Sequence, residues 1–286
     1  PDDIGCVDLS LMRAASGRRI EGLLGVPFFR SRTIQFDFDA GVVRTITDSS
    51  PKPEWGTPIP ITLSPTGLPM IDLQLTESQV ETCIVDTGYT GTISLNWQVF
   101  QELQKDGTIV DEQTRTFISV NGMKSNRYGL ISNVSIGEFK HEQLLVDATE
   151  SSSRIGLAFL RRYRVTFSMD SATLYLAKGK TFGELATGRS IGFGVMQDGT
   201  RYVVPTVQSE SPGEIAGIQP GDQLLQIAGN GIEGKSTAEI GWLIYSHAKN
   251  NDYRVPLTFQ RAGAQRQVVL DVRPVFEDAS SPINPD

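Results

Sequence analysis

The sequence has little of what most enzymes use for catalysis. Its 286 residues include two cysteines, Cys6 and Cys83, and two histidines, His141 and His247. Two cysteines build neither a disulfide framework nor a metal cluster, so no metal site and no cofactor are expected. A Ser-His-Asp enzyme would have to recruit one of the two histidines, and neither lies near a Gly-x-Ser-x-Gly elbow. No run approaches the roughly 18 apolar residues of a membrane-spanning helix. No basic stretch followed by an apolar one opens the chain, so a secretory signal lies upstream or is absent. A net charge of -7 without a dense Lys/Arg patch argues against a nucleic-acid partner.

What is present is an ordinary globular composition, 39% hydrophobic and 21% charged, enough to form a sizeable core. The length suggests about two domains. Its most informative stretch is Ile84-Val85-Asp86-Thr87-Gly88, followed closely by Thr90 and Gly91. An apolar strand running into Asp-Thr-Gly sets a carboxylate at a tight turn. The Thr87 hydroxyl can bond backbone there, and Gly88 permits φ values that other residues avoid. Cys83, three residues before Asp86 on the same strand, is expected to pack as a small hydrophobe.

The chain also repeats itself. Leu24-Gly25-Val26-Pro27-Phe28-Phe29-Arg30 returns as Ile155-Gly156-Leu157-Ala158-Phe159-Leu160-Arg161, and every aligned pair differs by 131. The match continues without a gap through Ile34/Val165, Phe36/Phe167, Asp39/Asp170 and Val43/Leu174. Each copy reads as a short helical turn followed by an alternating strand, and internal duplication is the better reading. The second copy carries a strand over Leu68–Leu75, the Asp86 turn, and a helix from about Asn96 to Lys105. Asn96 is its N-cap, with Trp97, Phe100 and Leu103 on one face. The counterpart of Asp86 would precede residue 1, so the first lobe is expected to start in its middle.

An apolar-apolar-Asp-Thr-Gly strand, a helix and a closing apolar-Gly-x-x-Phe-(Leu/Phe)-Arg unit resemble the bacterial retropepsin-like aspartyl proteases. That resemblance implies a mainly β, bilobal chain of barrel-like lobes. Residues 1–46 would be the C-terminal half of a first lobe, 47–66 the proline-rich connector, and 67–180 a whole second lobe. The Ile155-Gly156 and Leu24-Gly25 pairs would each cross beneath an active-site loop. Asp86, Thr87 and Gly88 would form the catalytic turn. Val120-Asn121-Gly122-Met123-Lys124, a turn signal between strand-like runs, would tip the flap, with Asn121, Gly122 and Met123 touching substrate. Tyr89 stands where the family has Ala or Ser, and it would either narrow the cleft or contact substrate, or else mark a lobe that has drifted from catalysis.

From Gly188 the pattern changes. Ser211-Pro212-Gly213-Glu214-Ile215-Ala216-Gly217-Ile218-Gln219-Pro220-Gly221-Asp222 followed by Leu224-Leu225-Gln226-Ile227 resembles a PDZ domain, here 186–276, an α+β module, with a tail over 277–286. A helix from Ser236 to about Lys249 and strands over 254–261 and 265–272 complete it. The resemblance implies that Ile191, Gly192, Phe193 and Gly194 present backbone N–H groups to a peptide's terminal carboxylate. Val195 would start the strand that the peptide extends, and Ser236 or Thr237 would face a ligand side chain.

The chemistry implied is water attack between two carboxylates that share one proton, with no covalent acyl-enzyme. Only one Asp-Thr-Gly is present. Asp8 and Asp147 sit in strand contexts without the turn glycine and are poor substitutes. The second carboxylate would come from an upstream half-lobe or from another chain, a homodimer of Asp86 loops being the less attractive form of the latter. The leading expectation is thus an aspartic endopeptidase with a PDZ module for peptide or protein substrates. The alternative is a non-catalytic peptide-binding scaffold that acts through its PDZ domain. Bacterial relatives of this architecture favour a cell-envelope or periplasmic location.

Overall fold

Period-two alternation of apolar residues runs through much of the chain, and strand is its main secondary structure. The structure, a computed structural model, describes residues 6–29, 32–47, 51–119, 122–184 and 191–272. Two compact units divide it, one built mainly from Leu24–Thr114 and Asn126–Ala186, the other mainly from Asp3–Leu23 and Thr187–Asp286. Helix α1 (Ser10–Ser16) belongs to the second unit.

In the first unit α2 (Val26–Phe29) leads into the hairpin β1 (Thr33–Asp37) and β2 (Val42–Ile46). A 3-10 turn at Pro53–Trp55 precedes β3 (Thr57–Pro60), β4 (Thr62–Leu63), β5 (Pro69–Gln74), β6 (Val80–Val85) and β7 (Ile93–Asn96). Then come α3 (Trp97–Lys105), β8 (Ile109–Ser119), β9 (Gly122–Ile136), β10 (Phe139–Thr149), β11 (Arg154–Ile155), α4 (Leu157–Leu160), β12 (Tyr163–Ser168) and β13 (Thr173–Lys178). Five strands form one sheet in the order β2-β1-β12-β13-β3. Eight form another, β4-β5-β6-β11-β7-β10-β9-β8, and an extra β5–β9 pairing draws it into a barrel.

Local rules explain the pieces. Along β5, Ile71 and Leu73 point inward at alternate positions and are buried. Asn96 caps α3, its side chain accepting the Gln98 N–H at 3.0 Å, and Phe100 and Leu103 bury the inner face of that helix. One core joins both sheets, with Leu73, Cys83, Ile93 and Leu144 from the barrel packed with Val165 and Leu174 from the five-stranded sheet. Each such side chain contributes about 1.5–3 kcal/mol when fully buried. The repeat seen in the sequence recurs in the elements: α2, β1 and β2 have α4, β12 and β13 as counterparts at the same spacing.

Two boundaries differ from expectation. The segment 47–66 is no mere connector, because β3 pairs with β13 and buries Ile59, while Trp55 and Ile61 are also buried. Its prolines are compatible with this strand because Pro58 and Pro60 lie at the sheet edge, where a missing N–H costs nothing to the ladder. The start of the segment 1–46 also parts from the hairpin, since Asp3–Leu23 groups with the second unit. The reason is packing: α1 lies against a strand and a helix of that unit.

That second unit contains β14 (Met196–Asp198), β15 (Arg201–Val203), α5 (Pro212–Ile215), β16 (Gln223–Ile227), β17 (Asn230–Gly231), α6 (Thr237–Asn250), β18 (Arg254–Arg261) and β19 (Ala264–Asp271). Its sheet runs β14-β15-β16-β18-β19, with β17 on β16. Ser236 and Glu239 form a capping box at the start of α6, and Ser211 caps α5 ahead of Pro212. Ile240, Ile244 and Ala248 on α6 pack into a core with Leu224, Leu257 and Phe259. No helix among the described residues is long and apolar enough to cross a membrane.

Candidate functional sites

Strand β6 ends at Val85, and the next residue turns. The Asp86 N–H donates to the Ile155 carbonyl at 2.9 Å, and its own carbonyl accepts from Tyr89 N–H at 3.2 Å. Its Oδ1 accepts the Gly88 N–H at 2.9 Å, while Oδ2 pairs with a guanidinium nitrogen of Arg154 at 3.1 Å. Both side chains are about a third exposed, at 30% for Asp86 and 28% for Arg154. The carboxylate is therefore oriented by the turn and reachable from solvent. Gly88 does not use a left-handed φ, contrary to expectation. Its value is proximity, because a Cβ there would sit 3.1 Å from Asp86 Oδ1. Thr87 is exposed.

Beneath the turn runs the second copy of the repeated motif. Gly156 N–H donates to the Thr92 carbonyl at 2.9 Å, Leu157 N–H to Tyr89 at 2.8 Å and Ala158 N–H to Gly91 at 3.0 Å. A Cβ on Gly156 would overlap the Tyr89 and Gly91 carbonyl oxygens, so no other residue fits under the loop. Gly25 has no such neighbour, and Leu24 beside it is 69% exposed. Among the described residues the first copy crosses under no loop, because none is folded over it.

Tyr89 is turned inward rather than toward a ligand. Its hydroxyl donates to Asp147, which also accepts from Ser94 Oγ at 3.0 Å and Asn126 Nδ2 at 2.9 Å. The phenol hydroxyl expected to contact substrate is thus engaged by Asp147. Asp147, on β10, is 2% exposed. Burial raises its carboxyl above the ordinary range, and the three donors and Arg154 only partly offset this. It braces the loop from below and is no second half of a carboxylate pair with Asp86. Asp8 is not in a strand; it accepts from Ser10 N–H at 2.8 Å at the start of α1.

The flap candidate is framed by the long strands β8 and β9. Val120 and Asn121 lie outside the described residues. So do the side chains of Gly122, Met123 and Lys124, although the β9 backbone starts at Gly122. Cys83 is wholly buried, which pushes its thiol far up and leaves it inert, and Cys6 is exposed. His141 is buried against the Tyr163 hydroxyl at 2.6 Å, and burial lowers it to about 4, so it stays neutral near pH 7. No cluster of three or more potential metal ligands occurs among the described residues.

In the second unit the Ile191–Gly194 loop is held by its neighbours. Gly213 N–H donates to the Ile191 carbonyl at 3.0 Å, Gln208 N–H to that of Gly192 at 2.7 Å, and Phe193 bridges to Val207. Gly192 has φ +78, and a Cβ there would overlap Ser211, so only glycine serves. The strand beyond it starts at Met196, one residue later than expected. Thr237 opens α6 as expected, but its hydroxyl donates to the Ala15 carbonyl of α1 at 2.6 Å. This contact was not legible in the sequence, where residues 1–46 read as part of another lobe. At the end of β18, Arg261 forks onto buried Asp222 at 2.6 and 2.7 Å.

Comparison with known proteins gives one family match and several similar solved structures. Residues 203–261 match the PDZ domain family. A retropepsin-like aspartic protease from Rickettsia conorii is similar at 22% identity, covering 42% of this chain and 89% of its own, with a TM-score of 0.34. An HtrA-type protease, AlgW, in complex with a decapeptide is similar at 14% identity, covering 75% of each chain at a TM-score of 0.29. A serine endoprotease from Yersinia pestis is similar at 12% identity over 94% of this chain and 98% of its own, with a TM-score of 0.25. No curated protein matches the chain in sequence. The fold is mainly β, a barrel-like unit together with a PDZ domain.

Proposed function

We propose that the first unit is one half of an aspartic peptidase site and that the PDZ unit recognises peptide or protein substrate. The observation that carries this reading is the Asp86 turn, where an oriented, solvent-reachable carboxylate lies above a glycine that only glycine can replace. Asp86 would act with a second carboxylate supplied by an upstream half-lobe or another chain. The two would share one proton. The ionised member would take a proton from water as its oxygen attacks the scissile carbonyl carbon, and the protonated member would give its proton to the carbonyl oxygen. Among the described residues Cys83 and His141 offer no competing chemistry: Cys83 is buried and its thiol raised, and His141 is held by Tyr163.

A second reading is a non-catalytic, protease-like scaffold that binds peptides. The Arg154–Asp86 ion pair favours it, since the carboxylate oxygen left free by Gly88 is already occupied. The two readings part on one experiment. Cleavage of an unfolded protein by the full-length gene product, lost in Asp86→Asn and blocked by a statine-type mimic but not by a chelator or a serine or thiol reagent, supports the peptidase. Cleavage that survives Asp86→Asn would falsify it.

A further inference from the structure

We propose that the groove between β14 and α6 is a docking surface for the chain's own N-terminal segment, Leu9 to Arg18, which must leave before another ligand enters. Among the described residues β14 pairs only with β15, so its other edge carries no strand. Helix α1 packs against both walls. Its end is where the fit is tightest. Gly17 closes the helix in the left-handed region at φ 62, with its N–H on the Arg13 carbonyl at 2.8 Å. A Cβ on Gly17 would stand 3.0 Å from Thr237 N, 3.1 Å from Ser236 Cα and 3.4 Å from Gln197 Oε1, so this residue spans from β14 to the start of α6. The Thr237 hydroxyl takes the Ala15 carbonyl, and Arg18 reaches Glu239 at 3.4 Å. Leu9, ahead of the helix, is buried.

The docked segment is helical, so it covers the β14 edge without extending the ladder. Seven residues are too few for a stable isolated helix in water. The Arg18–Glu239 pair is exposed on both sides and holds little. Helix α1 is therefore the kind of element that opens locally at low cost. A ligand for the groove binds more weakly by the fraction of time the segment is undocked. This last step rests on the reading of the groove as a peptide site, whereas the docking itself does not.

The test uses the full chain and its Gly17→Val variant, which combines a disfavoured φ with a Cβ pressed on Thr237 backbone. Thr237→Val removes the hydroxyl contact without strain and is a second route to the same release. Hydrogen exchange at Met196–Asp198 should quicken by about tenfold or more in both variants. A labelled synthetic peptide of residues 7–20 should bind the Gly17→Val protein and not the wild type, with unchanged circular dichroism confirming the fold. Equal exchange in all three proteins, with no binding of that peptide to either variant, overturns the docking. A free-acid C-terminal peptide library that fails on Gly17→Val, while the 7–20 peptide binds, sinks the peptide-recognition reading and leaves the docking standing.

Discussion

Gln35 and Thr166 face each other across β1 and β12, and their side chains bond, Nε2 to Oγ1, at 2.9 Å. Their separation, 131 residues, is also the spacing of the internal repeat. Each residue thus pairs with its own counterpart, and the flanking pairs are reciprocal: Ile34 with Phe167, Phe36 with Val165. A local two-fold axis passes between them. The β1–β2 and β12–β13 hairpins thus form a symmetric pair within one sheet.

The symmetry breaks at the outer strands, and this yields a contrast in stability. Leu174 on β13 is wholly buried and pairs with Ile59 of β3. Val43, its counterpart on β2, is 63% exposed, and among the described residues β2 pairs only with β1. Leu174→Ala should cost about 2–5 kcal/mol. Val43→Ala should stay within about 0.5 kcal/mol. Urea melts of the two variants would check this, and comparable losses would mean that β2 is covered.

The two glycines of the repeat should separate in the same way. Gly156→Ala drives a Cβ into the carbonyl oxygens of Tyr89 and Gly91, and relief requires the Asp86 turn to shift. A loss of about 1–3 kcal/mol is expected, as for an overpacked core. At Gly25 a Cβ meets only Pro27 Cδ at 3.5 Å, so Gly25→Ala should be nearly silent. Thermal denaturation measures both.

Tyr89→Phe should reveal the strain on Asp147. The Asp147 carboxyl is raised from its ordinary 3.8 by burial, so it favours folding most below that value and loses this as pH rises through the folded pKa. Removing the Tyr89 hydroxyl takes away the foremost of the hydrogen bonds that lower it, so the folded pKa should climb further. The deficit of the variant should be small in acid and grow toward neutrality, reaching about 1–3 kcal/mol. A deficit that shrinks as pH rises would show that the pair is not charge-assisted.

The Asp86 turn was legible because it is local. Asp86-Thr87-Gly88 at a strand end, the Asn96 cap and the alternating strands need only neighbours in sequence to declare themselves. The PDZ unit was legible through its turn glycines and its capping residues. What escaped depends on partners far along the chain. Nothing near Tyr89 predicts that its hydroxyl will find Asp147, 58 residues away. Nothing near Ala15 points to Thr237, 222 residues on. The prolines of 47–66 announce an extended chain, and composition alone does not separate a strand edge from a linker.

Arg261→Met tests the second unit. Burial alone would raise Asp222, but the Arg261 guanidinium and the Gln219 amide outweigh it and hold the carboxyl below its ordinary 3.8. Such a group supports folding above that value and loses its support as pH falls through the lower folded pKa. With Arg261 gone, a carboxylate 2% exposed at its side chain is left beside a single amide donor. The variant should lose about 3–5 kcal/mol at neutral pH, and the gap should narrow on acidification. Melts of the full chain across pH would measure it.

The final prediction concerns Arg154 itself. Its pair with Asp86 is partly open to solvent, so screening limits the bond to about 1 kcal/mol at most. Arg154→Met and Asp86→Asn should each leave the barrel nearly as stable as before, and a double-mutant cycle in denaturant should return a coupling of about 0.2–1 kcal/mol. Their effects on turnover should differ sharply. On the proposed function Asp86→Asn would remove the proton acceptor, a role that supplies about 10²–10⁴ in rate. Arg154→Met only frees Oδ2 of the same carboxylate, so cleavage by the full-length protein should hold steady or rise. If Arg154→Met instead falls as far as Asp86→Asn, the arginine belongs to the chemistry and the pair is a working unit rather than a restraint. If neither substitution changes cleavage, the reacting group lies elsewhere in the protein.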